Sequence, residues 1–511
     1  MGRKILFVTS DQQRYDALGC NGGHAARTPV IDALAARGVR YARATAQSVV
    51  CMPARASMIT GQHPRTHGVA MNGVALPVDA PSVAAYLKDR RGYRTALIGK
   101  AHFEPALDPG FTFRENRLAR EAPAATVRGF DRMELTMHGP LGPWHYPAWL
   151  KARHSGDIAG FYRVLTAELQ LNHQGGGDTG ACQVKLNPVP RGHYHTDWVA
   201  DRVIAYLDSL DPGEDWFVWM SFPDPHHPWD PPQAEIGRHD WRATALPAGW
   251  PGTTEQARAI LAAKPRHWLD WYEGRLVSNY EAPPAFVPAD MTADQVREIN
   301  ALTHTKNELI DEALGRVLAH VAARGWANDT DVVYTADHGE FQGDFGLLFK
   351  GPYHVDALMR LPMVWAPAPS AAAAPAVVDR PVGQVDLAPT FCQIAGLPVP
   401  AWMQGQPLPS GPAEAERQHR ERSLTEWDSD INGIELHLRT ITRDGLVCTS
   451  YEPGSLHDGS EGELYELAED PRQWRNLWAE PGWRRRRDDL VAELKANLPP
   501  AGPKLTRVSP V

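Results

Sequence analysis

Two short apolar runs near opposite ends of the 511-residue chain each break off into acid. Lys4-Ile5-Leu6-Phe7-Val8-Thr9 leads to Asp11-Gln12-Gln13-Arg14, and Val332-Val333-Tyr334-Thr335 leads to Asp337-His338-Gly339. Runs this short and this uniformly apolar fit strands buried on both faces, as in a parallel sheet covered by helices. Such a sheet can set two strands side by side with their carboxyl ends together, and open α/β sheets bind ligands at that edge. Carboxylates and an imidazole would then meet at one point despite their separation in sequence. Hard carboxylate oxygens there suit Ca²⁺, Mg²⁺ or Mn²⁺. Taken singly, Asp11 or Asp337 could equally be a helix cap or a turn residue.

The intervening pattern alternates. Thr28 to Gly38 predicts a capped helix with Pro29 at its start, followed by a strand over 39–45. Helices over 51–60 and 82–90 precede the strand Tyr93–Gly99, which delivers Lys100-Ala101-His102. Further on come a helix over 196–210, the strand Trp216–Phe222, a long helix over 292–324 and a strand at Leu361–Trp365. The alternation predicts an α/β fold with a large, mixed but mainly parallel sheet flanked by helices. Residues 366–377 predict a surface loop and 385–395 a strand-and-helix element. The stretch 105–300 holds ten of the 17 tryptophans and little periodicity, so it predicts insertions that shape a pocket. Near 400–420 the composition shifts to Pro, Gly, Glu and Arg. That divides a large domain over 1–405 from a small α+β unit over 406–511: an antiparallel sheet with strands at 440–442 and 446–449, and a helix over 481–497.

A net charge of −9 gives no reason to expect a nucleic-acid partner, and any attraction for an anionic ligand must come from local cations. Five scattered cysteines argue against a disulfide framework or a zinc site. No run approaches the ~20 apolar residues of a membrane span. With no signal-like segment ahead of Lys4, the expected location is cytoplasmic.

Cys51-Met52-Pro53-Ala54-Arg55, continuing to Thr60-Gly61, reads as a turn running into a helix. Cys51 would sit at the positive end of the helix dipole, with Arg55 one turn along and able to reach back. The plain alternative is a buried structural cysteine. Here the chain resembles the formylglycine-dependent (type I) sulfatase family of the alkaline phosphatase superfamily, close to arylsulfatases and phosphonate monoester hydrolases. The resemblance rests on Cys51-x-Pro53-x-Arg55 with Thr60-Gly61, Asp11, Gly99-Lys100-x-His102, Pro225-His226-x-Pro228, Asp337-His338-Gly339 and Lys350-Gly351. Glu463-Leu464-Tyr465 through Asn476-Leu477 is similar to the family's carboxyl-terminal signature.

The resemblance implies an alkaline-phosphatase-like sandwich and a sulfuric ester hydrolase. Cys51 would be oxidised to formylglycine by a maturation enzyme and hydrated to a gem-diol nucleophile. Asp11, Gln12, Asp337, His338 and the side chain at 51 would hold one divalent cation. The family often has Asp at the position of Gln12 and Asn at that of His338; with Gln12 neutral and His338 offering a softer imidazole nitrogen, Mn²⁺ joins Ca²⁺ as a candidate. Arg55, Lys100, His102, His226 and Lys350 would complete the catalytic set. His226, with His227 as the rival, would protonate the leaving oxygen, and His102 would be the base that frees sulfate. The substrate would be a small sulfate ester; phosphonate monoesters or phosphodiesters are the alternative, although phosphonate enzymes tend to carry hydroxyl residues where this chain has Lys100 and His102. Relatives with extended tails are often dimers or tetramers, and the tail 499–511 is a candidate to reach a neighbour.

Overall fold

The computed structural model describes residues 2–121, 126–170 (backbone alone for 167–170), 175–277, 281–283 and 285–509. Eight strands build the main sheet: β1 Lys4–Asp11, β2 Val39–Tyr41, β3 Arg94–Gly99, β4 Arg132–Leu135, β5 Trp216–Pro225, β6 Thr330–Ala336, β7 Met363–Ala366 and β8 Ala376–Val378. Their order across the sheet is β8-β2-β7-β6-β1-β5-β3-β4. The five strands from β6 to β4 are mutually parallel, whereas β7 runs antiparallel to both neighbours.

Every residue of β1 is buried, and its alternate side chains enter two cores. Ile5 and Phe7 join Met52, Ile59, Leu97, Trp219 and Phe391 on one face. Leu6 and Val8 join Trp198, Val203, Met220, Ile310 and Leu314 on the other. Helices α1 Pro29–Arg37, α2 Cys51–Thr60, α3 Val83–Arg91, α4 His195–Asp208, α5 Ala293–Ala323 and α6 Leu387–Ile394 supply those covers. The long α5 starts in a capping box, with Thr292 and Gln295 satisfying each other's backbone N–H groups.

Several local expectations change. The predicted strand 39–45 is two pieces: β2 stays in the main sheet, while Ala44–Thr45 pairs with Arg360–Leu361 and Val382–Gly383 in a separate small sheet. The end of the predicted loop 366–377 becomes edge strand β8, and 385–395 is a helix entered through a 3-10 turn, with no strand. Within 105–300, β4 and β5 belong to the main sheet, with β5 beside β1 at its centre.

Near the carboxyl end, β9 Arg422–Ile431, β10 Ile434–Arg443, β11 Leu446–Glu452 and β12 Gly462–Glu466 form an antiparallel sheet in sequential order. Helix α7 Arg484–Asn497 packs Leu490 and Leu494 onto its Ile441, Cys448 and Leu464. The tail then turns back onto the main domain of its own chain. Gly502 N–H donates to Arg65 O at 2.9 Å, Val508 N–H to Gly73 O at 2.9 Å, and Arg507 Nε to Asn72 O at 3.3 Å. No helix among the described residues is long and apolar enough to cross a membrane.

Candidate active site

Four adjacent parallel strands deliver the predicted residues to one edge. Asp11 ends β1; in register beside it, Pro225 ends β5 and leads to His226. On the other side Ser10 pairs with Ala336, so Asp337 and His338 emerge next to Asp11. β3 adds Lys100 and His102. Gly99 is obligatory at that exit: its φ is +114°, and a Cβ would stand 1.7 Å from Ser221 O. Gln12, His102 and Phe349 hold φ values of 61°, 56° and 66°, strain of about 1 kcal/mol each, and they are among several such residues spread along the chain.

Cys51 is the first residue of α2, fully buried, and Met52 N–H behind it is capped by Asn72 Oδ1 at 3.0 Å. The helix begins two residues earlier than its proline suggests, but Pro53 still lies in the first turn, where N–H groups have no intrahelical partner. Gly61, with φ 69°, closes the other end. Cys51 Sγ lies 3.1 Å from His338 Nε2 and 3.8 Å from Asp11 Oδ1. One donor atom from each of Asp11, Cys51, Asp337 and His338 falls within 4.8 Å of the others. Arg55 is buried beside them, donating through Nε to Asp337 Oδ2 at 2.9 Å and through Nη1 to Lys100 O and Ser221 Oγ.

This donor set fits a divalent cation. Burial and the neighbouring Asp337 push the Asp11 carboxyl up to about 6 despite Lys100 and Arg55, as two like charges held close in a buried site do. Burial acts the same way on Asp337, but His338, Arg55 and Lys100 outweigh it and hold that carboxyl below its usual range. His338 Nδ1 is 2.9 Å from Gly339 O, leaving Nε2 to face the cluster as metal-bound imidazoles do. The structure gives Gln12 other partners: its Oε1 accepts from Lys350 at 2.7 Å and its Nε2 donates to Glu340. Burial pushes the Cys51 thiol up to about 12.

Around the cluster stand the cations. Lys100 Nζ pairs with Asp11 and lies 3.1 Å from His138 Nε2, while Lys350 Nζ lies 3.0 Å from His226 Nε2. Both His102 ring nitrogens are buried without a hydrogen-bond partner, and burial with Lys100 holds the ring neutral. A neutral imidazole with free valences in a closed site suits a group that acts on something bound there. His227 is present too, 3.2 Å from Gln12 Nε2 through Nδ1, but it is His226 that shares a 4.8 Å envelope with Cys51. His63, His67, His145 and His354 engage Glu426, Ser57, Leu135 and Thr440, away from Cys51.

A family model described as sulfatase matches residues 3–397. The chain belongs to the sulfatase family. A second model, described as N-sulphoglucosamine sulphohydrolase, C-terminal, matches residues 343–499 of this sulfatase. It is 26% identical over 474 residues to an uncharacterized sulfatase, YidJ, of Escherichia coli K12, covering 93% of this chain and 82% of that one. It is 23% identical over 494 residues to an arylsulfatase of Clostridium perfringens, covering 96% and 93%. The phosphonate monoester hydrolase of Silicibacter pomeroyi shares its alkaline-phosphatase-like fold, with a TM-score of 0.76 at 23% identity over 97% of this chain and 94% of that one.

Three parts of the sulfatase's site lay outside the sequence reading. Glu281 reaches into the cationic wall, pairing with Lys350 and lying 3.2 Å from His226 Nε2 and 3.4 Å from His227 Nε2. His138 stacks on His226 with ring centroids 3.9 Å apart. Behind the catalytic edge, Lys306 on α5 donates to His226 O at 2.9 Å and Pro228 O at 2.8 Å, and pairs with Asp224 at 2.9 Å. Tyr194, His195 and Thr196, at the start of α4, also bind Asp224. No local motif marks these residues. A buried lysine inside a long helix pattern was the one available signal, since such a group is retained only when paired.

Proposed function

We propose that this sulfatase hydrolyses sulfuric esters of the arylsulfatase type, releasing an alcohol or phenol and sulfate. The observation that carries the reading is Cys51 Sγ at a helix start, in one buried cluster with Asp11, Asp337 and His338 and walled by Lys100, Lys350 and His226. Asp11, Asp337, His338 and the side chain at position 51 would hold a divalent cation, Ca²⁺ or Mn²⁺, which would supply Lewis acidity toward sulfuryl oxygens. Were Cys51 converted to formylglycine, its hydrate would supply paired hydroxyls, one to attack sulfur and one whose deprotonation would expel sulfate.

The chain's own residues do the rest. Lys100 and Lys350 bind the ester's sulfuryl oxygens and offset charge as it redistributes, in a site whose burial strengthens each contact. Arg55 orients Asp337 through the hydrogen bond from its Nε. His226, whose Nε2 lies 3.0 Å from the Lys350 ammonium while Nδ1 lies 2.5 Å from His227 O, is placed to relay a proton from Lys350 to the leaving oxygen. His102, neutral and unpartnered, takes the proton from the second hydroxyl. Because these groups read the charged head of the ester, phosphate and phosphonate esters are expected as secondary substrates. Gln12 favours a second reading, a phosphonate monoester hydrolase, since it resembles those enzymes at that position.

The decisive experiment is mass spectrometry of the Cys51 peptide beside kcat/KM for an aryl sulfate and a phenylphosphonate monoester. Activity that tracks the fraction of thiol converted to aldehyde, with sulfate preferred, supports the reading; full sulfate hydrolysis by a plain cysteine overturns it, and phosphonate preference moves the assignment to the second reading. Chelation is expected to lower kcat by about 100-fold, restored by Ca²⁺ or Mn²⁺. Glu281 competes with any bound anion for Lys350 and His226. A Glu281→Gln variant should therefore bind inorganic sulfate about 10-fold tighter, read as a lower inhibition constant.

A further inference from the structure

We infer that this sulfatase carries a second metal site, remote from Cys51, built by His154, Asp157 and His193 and suited to a borderline divalent cation such as Zn²⁺. One donor atom from each of the three lies within 4.8 Å of the others. His154 caps the helix His145–Arg153, Asp157 lies in the first turn of Ser155–Gln170, and His193 ends the 3-10 turn Arg191–His193 just ahead of α4. His193 Nδ1 is 2.7 Å from Asp157 Oδ2, and the imidazoles of His154 and His193 stack at 3.5 Å between centroids. Trp149 walls the other side, its ring 4.8 Å from His154 and 6.0 Å from His193.

Two imidazoles and one carboxylate select Zn²⁺ or a neighbouring transition metal over Ca²⁺, which prefers six or more oxygens. Metal–ligand bonds of about 2.0–2.1 Å put neighbouring donors roughly 3.3 Å apart, so closing this trio needs only side-chain adjustment. All three residues are partly exposed, which gives a cation a path in and leaves a position for water. The backbone is already fixed: Asp157 N–H donates to His154 O at 3.0 Å, His193 N–H to Pro190 O at 2.9 Å, and Tyr146 Oη to His193 O at 2.9 Å. A bound cation would clasp the two helices of 145–170 to the turn that leads into Tyr194, His195 and Thr196. Those three hold Asp224 behind the His226 loop.

The test counts metal, so it stands apart from the hydrolytic reading. Protein kept in excess Ca²⁺ is titrated with Zn²⁺, desalted and assayed by elemental analysis, comparing the native chain with His154→Ala/His193→Ala. Zinc taken up at Cys51 or at other histidines is common to both and cancels. The expected result is one more zinc per chain in the native protein, and Zn²⁺ that raises its thermal midpoint but not the variant's. Asp157→Asn, which keeps a hydrogen-bonding side chain against His193, should bind Zn²⁺ about 10-fold more weakly or worse. Equal zinc counts in the native chain and the double variant, or an Asp157→Asn affinity equal to native, would overturn the site.

Discussion

A Cys51→Ala variant is expected to lose about 10⁴-fold or more of kcat toward an aryl sulfate, while its thermal midpoint moves by only a few degrees. The asymmetry follows from position. Only one sulfur atom is deleted from α2, a loss of about 1 kcal/mol of packing, whereas the reacting atom disappears. The nearby Ser221 hydroxyl cannot substitute, being committed to Arg55 Nη1 at 2.9 Å and to Thr9 at 3.1 Å. Steady-state kinetics beside circular dichroism checks this. Retention of more than about a tenth of native kcat would place the nucleophile elsewhere.

Lys306→Met should be the most damaging change away from the reacting atoms. Lys306 is fully enclosed, and its ammonium lies against Asp224 at 2.9 Å and Asp230 at 3.5 Å. Burial disfavours the Asp224 carboxylate, but Lys306 and His195 outweigh it and hold its pKa below the usual range. Removing the lysine strands a buried charge, a loss of about 3–5 kcal/mol. It also frees the carbonyls of His226 and Pro228, so kcat should fall with stability, by about 10-fold or more as the His226 ring drifts. Urea unfolding and kcat on the same preparation read both effects. Adding Asp224→Asn to Lys306→Met should recover part of the stability, because the second substitution removes the stranded charge. If the double variant is no more stable than the single one, the ion pair is not what holds this region.

The placement of Asp11, Lys100, His102, His226, Asp337 and His338 after apolar strands, and of Cys51 at a helix start, was legible from pattern, whereas Lys350 follows no strand and was singled out by resemblance alone. The same logic gave α4 and α5 nearly residue for residue. It failed at β4, whose four residues alternate half-buried and buried on the sheet's edge and leave too short a signal to separate from loop. It failed at β8 for the same reason, at three residues. In the carboxyl-terminal sheet it found fragments of β10 and β11 but missed β12 and also β9. That strand's Asp428, Ser429 and Asp430 look like a turn, yet ten cross-strand pairs with β10 hold it extended. Gln12 was read as a metal donor, and the structure has Lys350 and Glu340 holding its carboxamide. Glu281 could not be found from sequence, because its function comes from which cations a long connection happens to meet.

Cys51 is buried in the folded chain, and several of the groups around it are made late. Asp337, His338 and Lys350 are translated roughly 300 residues after Cys51, an interval of about 15–60 s at ordinary elongation rates. Through that interval β1 has no β6 to pair with, and α2 lies open to other proteins. An enzyme that oxidised Cys51, as proposed above, would therefore work against the ribosome's clock. Codon choice downstream of position 51, and the temperature at which the protein is expressed, would then become determinants of how much of it is ever active.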